Sequence, residues 1–261
     1  WPEYQKSLVN EEIEESFDIM KDVVSISSAA RMKGKLKRRW PLNEAQICVK
    51  KNQKIKLESL SDLLKSQLNV EKFNIIETET ENGLEQLLEL KELGLPVKSK
   101  LELERKKIGP KAKQHMGKLV STFSETNPEE IISALQKEGK YDFKIDDEII
   151  SLDKEDFIVD FDASENFAVA NRDEFIVFIS TLRNKEMMAK GLVKDVARRL
   201  QTLRKERGYN PTDVLEVASI LELDDESLEM IKQRDEELAF LVRVKKVNFE
   251  KSCKEYKDDD I

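Results

Sequence analysis

The sequence predicts an α+β fold, with an N-terminal amphipathic helix followed by two small α/β units with mixed sheets. Three observations lead to this class. Apolar residues recur at helical spacing over residues 9–32. Strand-like and helical patterns alternate over 43–140, and five short apolar runs precede a long basic helix within 141–261. We therefore divide the chain into residues 1–42, 43–140 and 141–261.

The first element is a long helix over residues 9–32. Its apolar stripe consists of Ile13, Phe17, Met20 and Val24. Asn10 is the expected N-cap, and Gly34 is the expected residue after the helix end. Because one amphipathic helix cannot bury its own stripe, this helix must pack on the rest of the chain or on helices upstream of it.

Residues 43–140 alternate between the two patterns. Period-two alternation predicts strands at 45–49, 70–76 and 97–103, and helical spacing predicts helices at 57–68 and 84–93. Gly109-Pro110 is expected to open a basic helix that runs to about Phe123. Asn127 followed by Pro128 marks the start of the next helix.

Residues 141–180 resemble a β-meander. The predicted strands lie at 143–145, 149–152, 157–161, 167–170 and 175–179. Next come a helix over 184–207, a strand over 214–221, a helix over 225–240 capped by Asp224, and a strand over 241–249. No repeat period and no glycine-rich linker is visible in the sequence.

The composition excludes several classes of protein. The chain has 261 residues, one histidine and two cysteines, Cys48 and Cys253, which make no disulfide framework or thiolate zinc site. The longest apolar run, Phe175 to Ile179, is far too short for a membrane helix, so we expect no membrane partner. The chain begins Trp1-Pro2, without a methionine, and we interpret this as processing or as the cut edge of a longer protein.

The charge is unevenly distributed. The net charge is −8, yet residues 31–41, 98–113 and 183–207 together hold +17, which leaves −25 on the rest of the chain. Because salt screens each charge beyond about 8–10 Å, such segments can bind a polyanion locally. The alternative for any single run, and the one we favour, is a solvated helix face.

No catalytic motif is recognisable. The sequence contains no phosphate-binding loop, no dinucleotide fingerprint and no nucleophile elbow. A Ser-His or Cys-His arrangement would need His115, which lies in a lysine-rich segment and is expected to be a surface residue. We therefore expect this chain to carry no catalytic and no metal site.

Two basic segments stand out. In the helix 184–207, cations step by three or four residues along one face beside an apolar stripe. Such a row is unfavourable unless an anion such as nucleic-acid phosphate screens it. In residues 31–42, bases surround Trp40, which could stack on an unpaired RNA base. The alternative for Trp40, which we favour, is a buried wedge where the first helix meets the sheet.

These residues resemble a known family. The corner that runs from Ala30-Arg31 to Arg39-Trp40-Pro41-Leu42 is similar to one in class I isoleucyl-tRNA synthetases of archaeal and eukaryotic type. The most specific likeness is the helix segment GLVKDVARRLQTLRKE, residues 191–206. Weaker likenesses, in matching order, are Trp1-Pro2, residues 63–73 and residues 108–111. Residues 77–95 match no part of the family's pattern. A valyl or other class I relative fits the corner less well.

The resemblance implies a fragment of a tRNA ligase. The family joins isoleucine to its tRNA with ATP and magnesium, and its HIGH and KMSKS active-site motifs lie upstream and are absent here. Residues 1–42 would be the last helix of an anticodon-binding bundle and its corner. The expected partners are isoleucine tRNA, through its anticodon stem-loop, and the upstream catalytic and bundle domains. The expected location is cytoplasmic.

The resemblance, taken with the charge pattern, gives ten candidate tRNA contacts. They are Arg38, Arg39, Trp40, Lys190, Lys194, Arg198, Arg199, Gln201, Arg204 and Lys205. Lys190, Lys194, Arg198 and Lys205 are expected on phosphates, and Arg39, Trp40, Gln201 and Arg204 on bases or on the loop. Arg38 and Arg199 are the next candidates. A different class of function, a protein–protein interaction module appended to a synthetase, stays open because the acidic remainder of the chain suits protein surfaces better than RNA.

Overall fold

The computed structural model describes residues 9–250 and confirms the α+β class. Trp1-Pro2 and Cys253 lie outside the described residues. The helices are α1 (Glu11–Lys33), α2 (Lys51–Glu58), α3 (Ser61–Leu68), α4 (Gly83–Glu92), α5 (Arg105–Ala112), α6 (Met116–Glu125), α7 (Pro128–Glu138), α8 (Lys185–Glu206), α9 (Asp225–Lys232) and α10 (Asp235–Val242). The strands are β1 (Leu42–Val49), β2 (Val70–Glu77), β3 (Val97–Leu103), β4 (Lys140–Ile145), β5 (Glu148–Asp153), β6 (Phe157–Ala163), β7 (Phe167–Arg172), β8 (Phe175–Ser180), β9 (Leu215–Leu221) and β10 (Val244–Glu250).

Side-chain caps start the helices where the sequence predicts them. Asn10 accepts a hydrogen bond from the Ile13 N–H at 3.1 Å at the start of α1. Asn127 and Asp224 cap α7 and α9 in the same way. Each cap satisfies a backbone donor that the first helical turn leaves without a partner. The predicted N-termini at these three residues are therefore confirmed.

Three predicted helices are interrupted. The helix predicted over 57–68 consists of α2 and α3, and the one over 225–240 consists of α9 and α10. The basic helix begins at Arg105 rather than at Gly109, because Glu104 caps it, and Pro110 lies inside α5. Lys113, with φ +43°, then ends α5 before α6 begins. Helical periodicity continues across such short breaks, so periodicity alone does not show them.

The predicted β-meander is wrong as a single sheet, although its five strands exist. β8 pairs with both β7 and β1, which gives a mixed four-stranded sheet of order β2-β1-β8-β7. β3 pairs with β6, and β4 with β5, as separate antiparallel ladders. The apolar run in β8 explains the difference. Its side chains alternate between a core with α4–α7 and a core with α1–α3, so β8 must lie at the centre of a sheet.

These pairings link the predicted units 43–140 and 141–261, since β1 and β8 are neighbours in one sheet. By contrast, α8, α9, α10, β9 and β10 enclose a third core of their own. Division of the chain into domains at residues 42 and 140 stays a prediction.

The chain contains the same unit twice, which the sequence analysis missed. The first unit, residues 11–77, and the second unit, residues 185–250, each run long helix, strand, two eight-residue helices, strand. In both units the two strands are parallel, with Leu42 opposite Val70 and Leu215 opposite Val244. The residue before each second strand, Asn69 or Arg243, has a left-handed backbone.

A buried arginine anchors each unit. Arg31 near the end of α1 donates to the carbonyls of Leu68 at 2.8 Å and Trp40 at 3.0 Å, among others. Arg204 in α8 donates to the carbonyls of Val242, Arg243, Asn210 and Asp213. Burial, helped by the nearby charges of Arg38 and Arg183, lowers the pKa of Arg31 to about 10. Each guanidinium thus ties the long helix of its unit to the end of the second short helix.

Candidate nucleic-acid interface

Trp40 joins the corner after α1 to the middle of α8. A Cβ placed on Gly191 would overlap Cδ2 of the Trp40 indole, so the ring rests directly on the helix backbone. The Trp40 Nε1–H donates to Asp195 Oδ2 at 2.9 Å. Trp40 is therefore half-buried against α8, whereas the sequence analysis favoured a buried wedge where the first helix meets the sheet.

Asp195 accepts hydrogen bonds from both side chains of the corner at this junction. The Lys37 ammonium lies 2.7 Å from its Oδ2, the same oxygen that accepts the Trp40 N–H. Burial alone would raise the pKa of Asp195, but the hydrogen bonds from Lys37 and Trp40 and the charge of Arg39 outweigh burial and lower it. Asp195 therefore stays ionised and fixes the corner on α8.

Two cations lie against the Trp40 ring. The Lys37 Nζ is 5.2 Å from a ring centroid, and the Arg183 Cζ is 5.1 Å from it. Both distances are within the range of a cation–π contact. Gly191 and these two cations thus occupy part of the surroundings of the half-buried Trp40 ring. Trp40 therefore positions the neighbouring cations, and a base contact by its ring stays a prediction.

Beyond the junction, three cations follow one side of α8. Lys194 is one residue before Asp195. Arg198 and Lys205 follow Lys194 by four and eleven residues, and these spacings keep the three cations on one side of the helix. Arg198 and Lys205 are exposed and form no ion pair within the described chain. The Lys194 Nζ lies 3.5 Å from Asn69 Oδ1 and forms no ion pair with a carboxylate of the described residues.

Arg38 and Arg39 extend this row at the corner. Both are exposed, and neither forms an ion pair with any residue between 9 and 250. With Lys37 and Asp195 they line an open concavity of about 640 Å³. We refer to Arg38, Arg39, Lys194, Arg198 and Lys205 as the cationic surface. Its members lie on two elements that Trp40, Asp195 and Lys37 hold together.

The other predicted contacts have partners or lie elsewhere. Lys190 forms ion pairs with Glu71 at 2.8 Å and Glu186 at 3.1 Å, which raise its pKa. Gln201 donates its amide to the Leu241 carbonyl at 2.7 Å. Arg204 is buried as the anchor of the second unit, so the structure leaves it no surface for RNA.

Arg199 is exposed but lies about 100° around α8 from Arg198, outside the cationic surface. Sequence reasoning missed Lys37, Arg183, Gly191 and Asp195 as parts of the junction. Two signals could have found it. Gly191 is an isolated glycine inside a helical pattern, which is typical of close packing, and Asp195 is the one acid between two basic segments of α8.

Other chemistry-bearing residues form no site. His115 lies 3.3 Å from Glu148 and 3.8 Å from Asp146. Burial raises the pKa of the Cys48 thiol to about 12. Within residues 9–250, no group of three metal-ligating side chains is close enough to hold a metal ion. No helix of that segment is both long and apolar enough to cross a membrane.

The chain is similar to isoleucine–tRNA ligases. It is 27% identical to that of Bacteroides fragilis over 218 residues, which is 83% of this chain and 18% of the ligase. It is 25% identical to that of Sulfolobus acidocaldarius over 249 residues, and 24% identical to that of Thermococcus kodakarensis over 254 residues. These matches cover 94% and 97% of this chain, and 22% of each ligase.

The chain thus matches one region of these ligases and spans about a fifth of their length. No protein-family model matches it.

Proposed function

We propose that this chain is a tRNA-binding region of an isoleucine–tRNA ligase and that its cationic surface contacts the anticodon stem-loop of isoleucine tRNA. The observation that carries the proposal is a row of five cations that form no ion pair with a carboxylate of residues 9–250, on a chain whose net charge is −8. The similarity to isoleucine–tRNA ligases supports tRNA as the polyanion.

The geometry of the cationic surface suggests which of its residues contact phosphates and which contact bases. Lys194, Arg198 and Lys205 follow one helix side and suit a phosphate backbone, whose contacts fix orientation and release counterions. Arg38 and Arg39 flank the concavity of about 640 Å³, which suits splayed loop bases better than a continuous backbone. Trp40 and Asp195 hold these two groups at a fixed separation.

The wider setting is proposed from the same similarity. The parent ligase would charge tRNA with isoleucine in the cytoplasm, with ATP and magnesium bound in upstream domains. This region would contribute affinity and orientation to that reaction, and no catalytic group.

A double charge reversal tests the surface. In Arg198→Glu/Lys205→Glu, we expect the affinity for isoleucine tRNA to fall at least about tenfold, because two phosphate contacts become repulsive. The slope of log K against log salt should flatten by about 2, since roughly one counterion is released per contact. Filter binding at three salt concentrations measures both quantities.

The matched control is Lys137→Glu/Lys144→Glu, which changes the net charge equally at two exposed lysines of α7 and β4. We expect its affinity to stay within about twofold of the unmodified chain. Equal losses in the two double variants would reduce the effect to net charge and contradict the assignment, as would unchanged binding in the first. Footprinting of isoleucine tRNA, with an unrelated tRNA beside it, locates the contact on the anticodon stem-loop.

A second candidate function, a protein–protein interaction module appended to a synthetase, rests on a different observation. Leu203 of α8 is 38% exposed and Val217 of β9 is 47% exposed, and both are apolar residues of the second unit. Negligible binding of both tRNAs to the unmodified chain would favour this function over RNA recognition.

A further inference from the structure

The two units differ at one edge of their first strand. In the first unit, β1 lies between β2 and the antiparallel β8. In the second unit, β9 pairs with β10, and no other strand of residues 9–250 joins it. The edge of β9 that corresponds to the β8 side of β1 is therefore open among the described residues.

The long helix of the first unit lies over the strands at this edge of β1, and we infer the equivalent position for α8 from the shared element order. In the first unit α1 packs on β8 and β7, and Val23 and Ala30 are fully buried. Counted back from the anchoring arginines Arg31 and Arg204, the equivalent residues of α8 are Val196 and Leu203. Val196 is only half-buried and Leu203 is 38% exposed, because nothing equivalent to β8 lies beneath them.

The backbone groups at the open edge can be assigned. The Leu215 N–H donates to the Arg243 carbonyl at the start of the β9–β10 ladder, as the Leu42 N–H does to the Asn69 carbonyl in the first unit. Alternate residues of a strand direct their N–H and C=O groups to opposite neighbours. Residues 216, 218 and 220 therefore direct theirs to the open edge.

We call this edge, together with Val196, Leu200 and Leu203 of α8, the strand groove. We propose that the strand groove binds one extended apolar protein segment that carries an acidic residue, as an antiparallel strand on β9. Main-chain hydrogen bonds to β9 supply the affinity, and the α8 side chains cover the inserted apolar residues.

Two positions at which the units carry different residues indicate what kind of segment the strand groove binds. Arg199 stands where the first unit has the buried Ile26, and it forms no ion pair within the described chain, so the groove offers one cation to a carboxylate. Gly34, whose added Cβ would meet Ala168 of β7 at 3.0 Å, is replaced by Arg207. A side chain at position 207 therefore leaves less room for a strand equivalent to β7. We expect the groove to accept a single strand, equivalent to β8, rather than a hairpin.

The occupant comes from outside this chain. Residues 1–8 and 251–261 contain no run of five apolar residues, whereas β8, which fills the equivalent place in the first unit, is Phe-Ile-Val-Phe-Ile-Ser. The bound segment should therefore be an apolar strand similar to β8, with an acidic residue next to it in sequence. The β8 segment itself begins after Asp173-Glu174, which makes a peptide of residues 173–182 a suitable probe.

Titration of a fluorescent peptide of residues 173–182 with the full chain tests the proposal. We expect saturable one-to-one binding, followed by anisotropy, and added hydrogen-exchange protection at residues 216, 218 and 220. Ala218→Pro removes one N–H from the open edge and none from the β10 ladder, so the affinity should fall at least about tenfold. Leu203→Glu should weaken binding similarly, because it puts a charge under the inserted strand.

The matched control is Phe240→Glu, which changes an 82% exposed aromatic of the same unit, and its affinity should equal that of the unmodified chain. Absence of saturable binding, or equal affinities in Leu203→Glu and Phe240→Glu, would overturn the proposal. A concentration-dependent dimer that Ala218→Pro dissociates would place a second copy on β9 and also overturn it. If Ala218→Pro does not fold, the Leu203→Glu comparison decides.

Discussion

The first and second units share one backbone plan and differ in what covers it. In the first, five of the eight residues of β1 are buried and none is exposed, because α1 lies on one face of the sheet and the core around α4–α7 on the other. In the second, no residue of β9 is fully buried. The same plan therefore gives an interior strand in one place and an open edge in the other.

The comparison shows which structural features the two units share. Both units keep the anchoring arginine, the left-handed residue before the second strand and the parallel register. The strand pair β7–β8 is added to the sheet of the first unit, and no described strand pair is added in this way to the second. The junction of Trp40 on Gly191 joins the two units at the place where the cationic surface lies.

Removal of the anchoring arginines should have the largest effect on the stability of the two units. Arg31→Met leaves four carbonyls without their donor, two of them on the corner that carries the cationic surface. We expect a loss of about 3–4 kcal/mol in the free energy of unfolding. Arg204→Met should cost less, about 2–3 kcal/mol, because the second unit is more open to water.

Urea denaturation measures these losses, and native-state hydrogen exchange locates them. Arg204→Met should expose the amides of β9 and β10 to exchange while those of β1 and β2 keep their protection, since the third core is separate. The exposed Arg105→Met should change stability by less than about 0.5 kcal/mol. Equal loss of protection in both units of Arg204→Met would show that they unfold as one.

A methyl group on Gly191 should separate the two units. Its Cβ would lie well inside contact distance of the Trp40 indole, and backbone on one side and a bulky ring on the other leave little room to relax. We expect Gly191→Ala to destabilise the chain by about 1–3 kcal/mol and to shift the Trp40 fluorescence. Affinity for isoleucine tRNA should fall with it, because the two parts of the cationic surface lose their fixed separation.

Gly117→Ala is the control for this change. Gly117 is also helical, and an added Cβ there would meet nothing within 4 Å. Alanine should stabilise α6 by up to about 1 kcal/mol through its better helix propensity. A gain in stability in both variants would show that Gly191 tolerates a side chain and that the junction is loose.

Much of the secondary structure is predictable from local pattern. The caps Asn10, Asn127 and Asp224 and the apolar run in β8 act over a few residues, and each is where the sequence predicts it. The pairing of β8 with β1 joins residues about 130 positions apart, and periodicity carries no information on such partners. The repeat is hidden for a related reason, since burial of the first unit and exposure of the second select different side chains on the same backbone.

The candidate site shows the same limit. Charge clustering drew attention to Arg38, Arg39 and Arg198, which are exposed. It did not separate them from Arg204, because burial of an arginine depends on carbonyls of residues 210, 213, 242 and 243 that only the fold brings together. That these cations bind tRNA stays a proposal.

The smallest expected effect concerns the carboxylate at the junction between the units. The pKa of Asp195 is lower when folded than its ordinary value of 3.8, although burial opposes this, because Lys37 and Trp40 donate to its ionised form. Its contribution is therefore fully present above about pH 4 and is lost as the pH falls through the lowered pKa. Asp195→Asn should cost less than about 1 kcal/mol at pH 6, and the gap to the unmodified chain should narrow at pH 3. Urea denaturation followed by Trp40 fluorescence, with Trp1→Phe as background, measures this gap, and a gap equal at both pH values would show that the carboxylate charge does not hold the two units together.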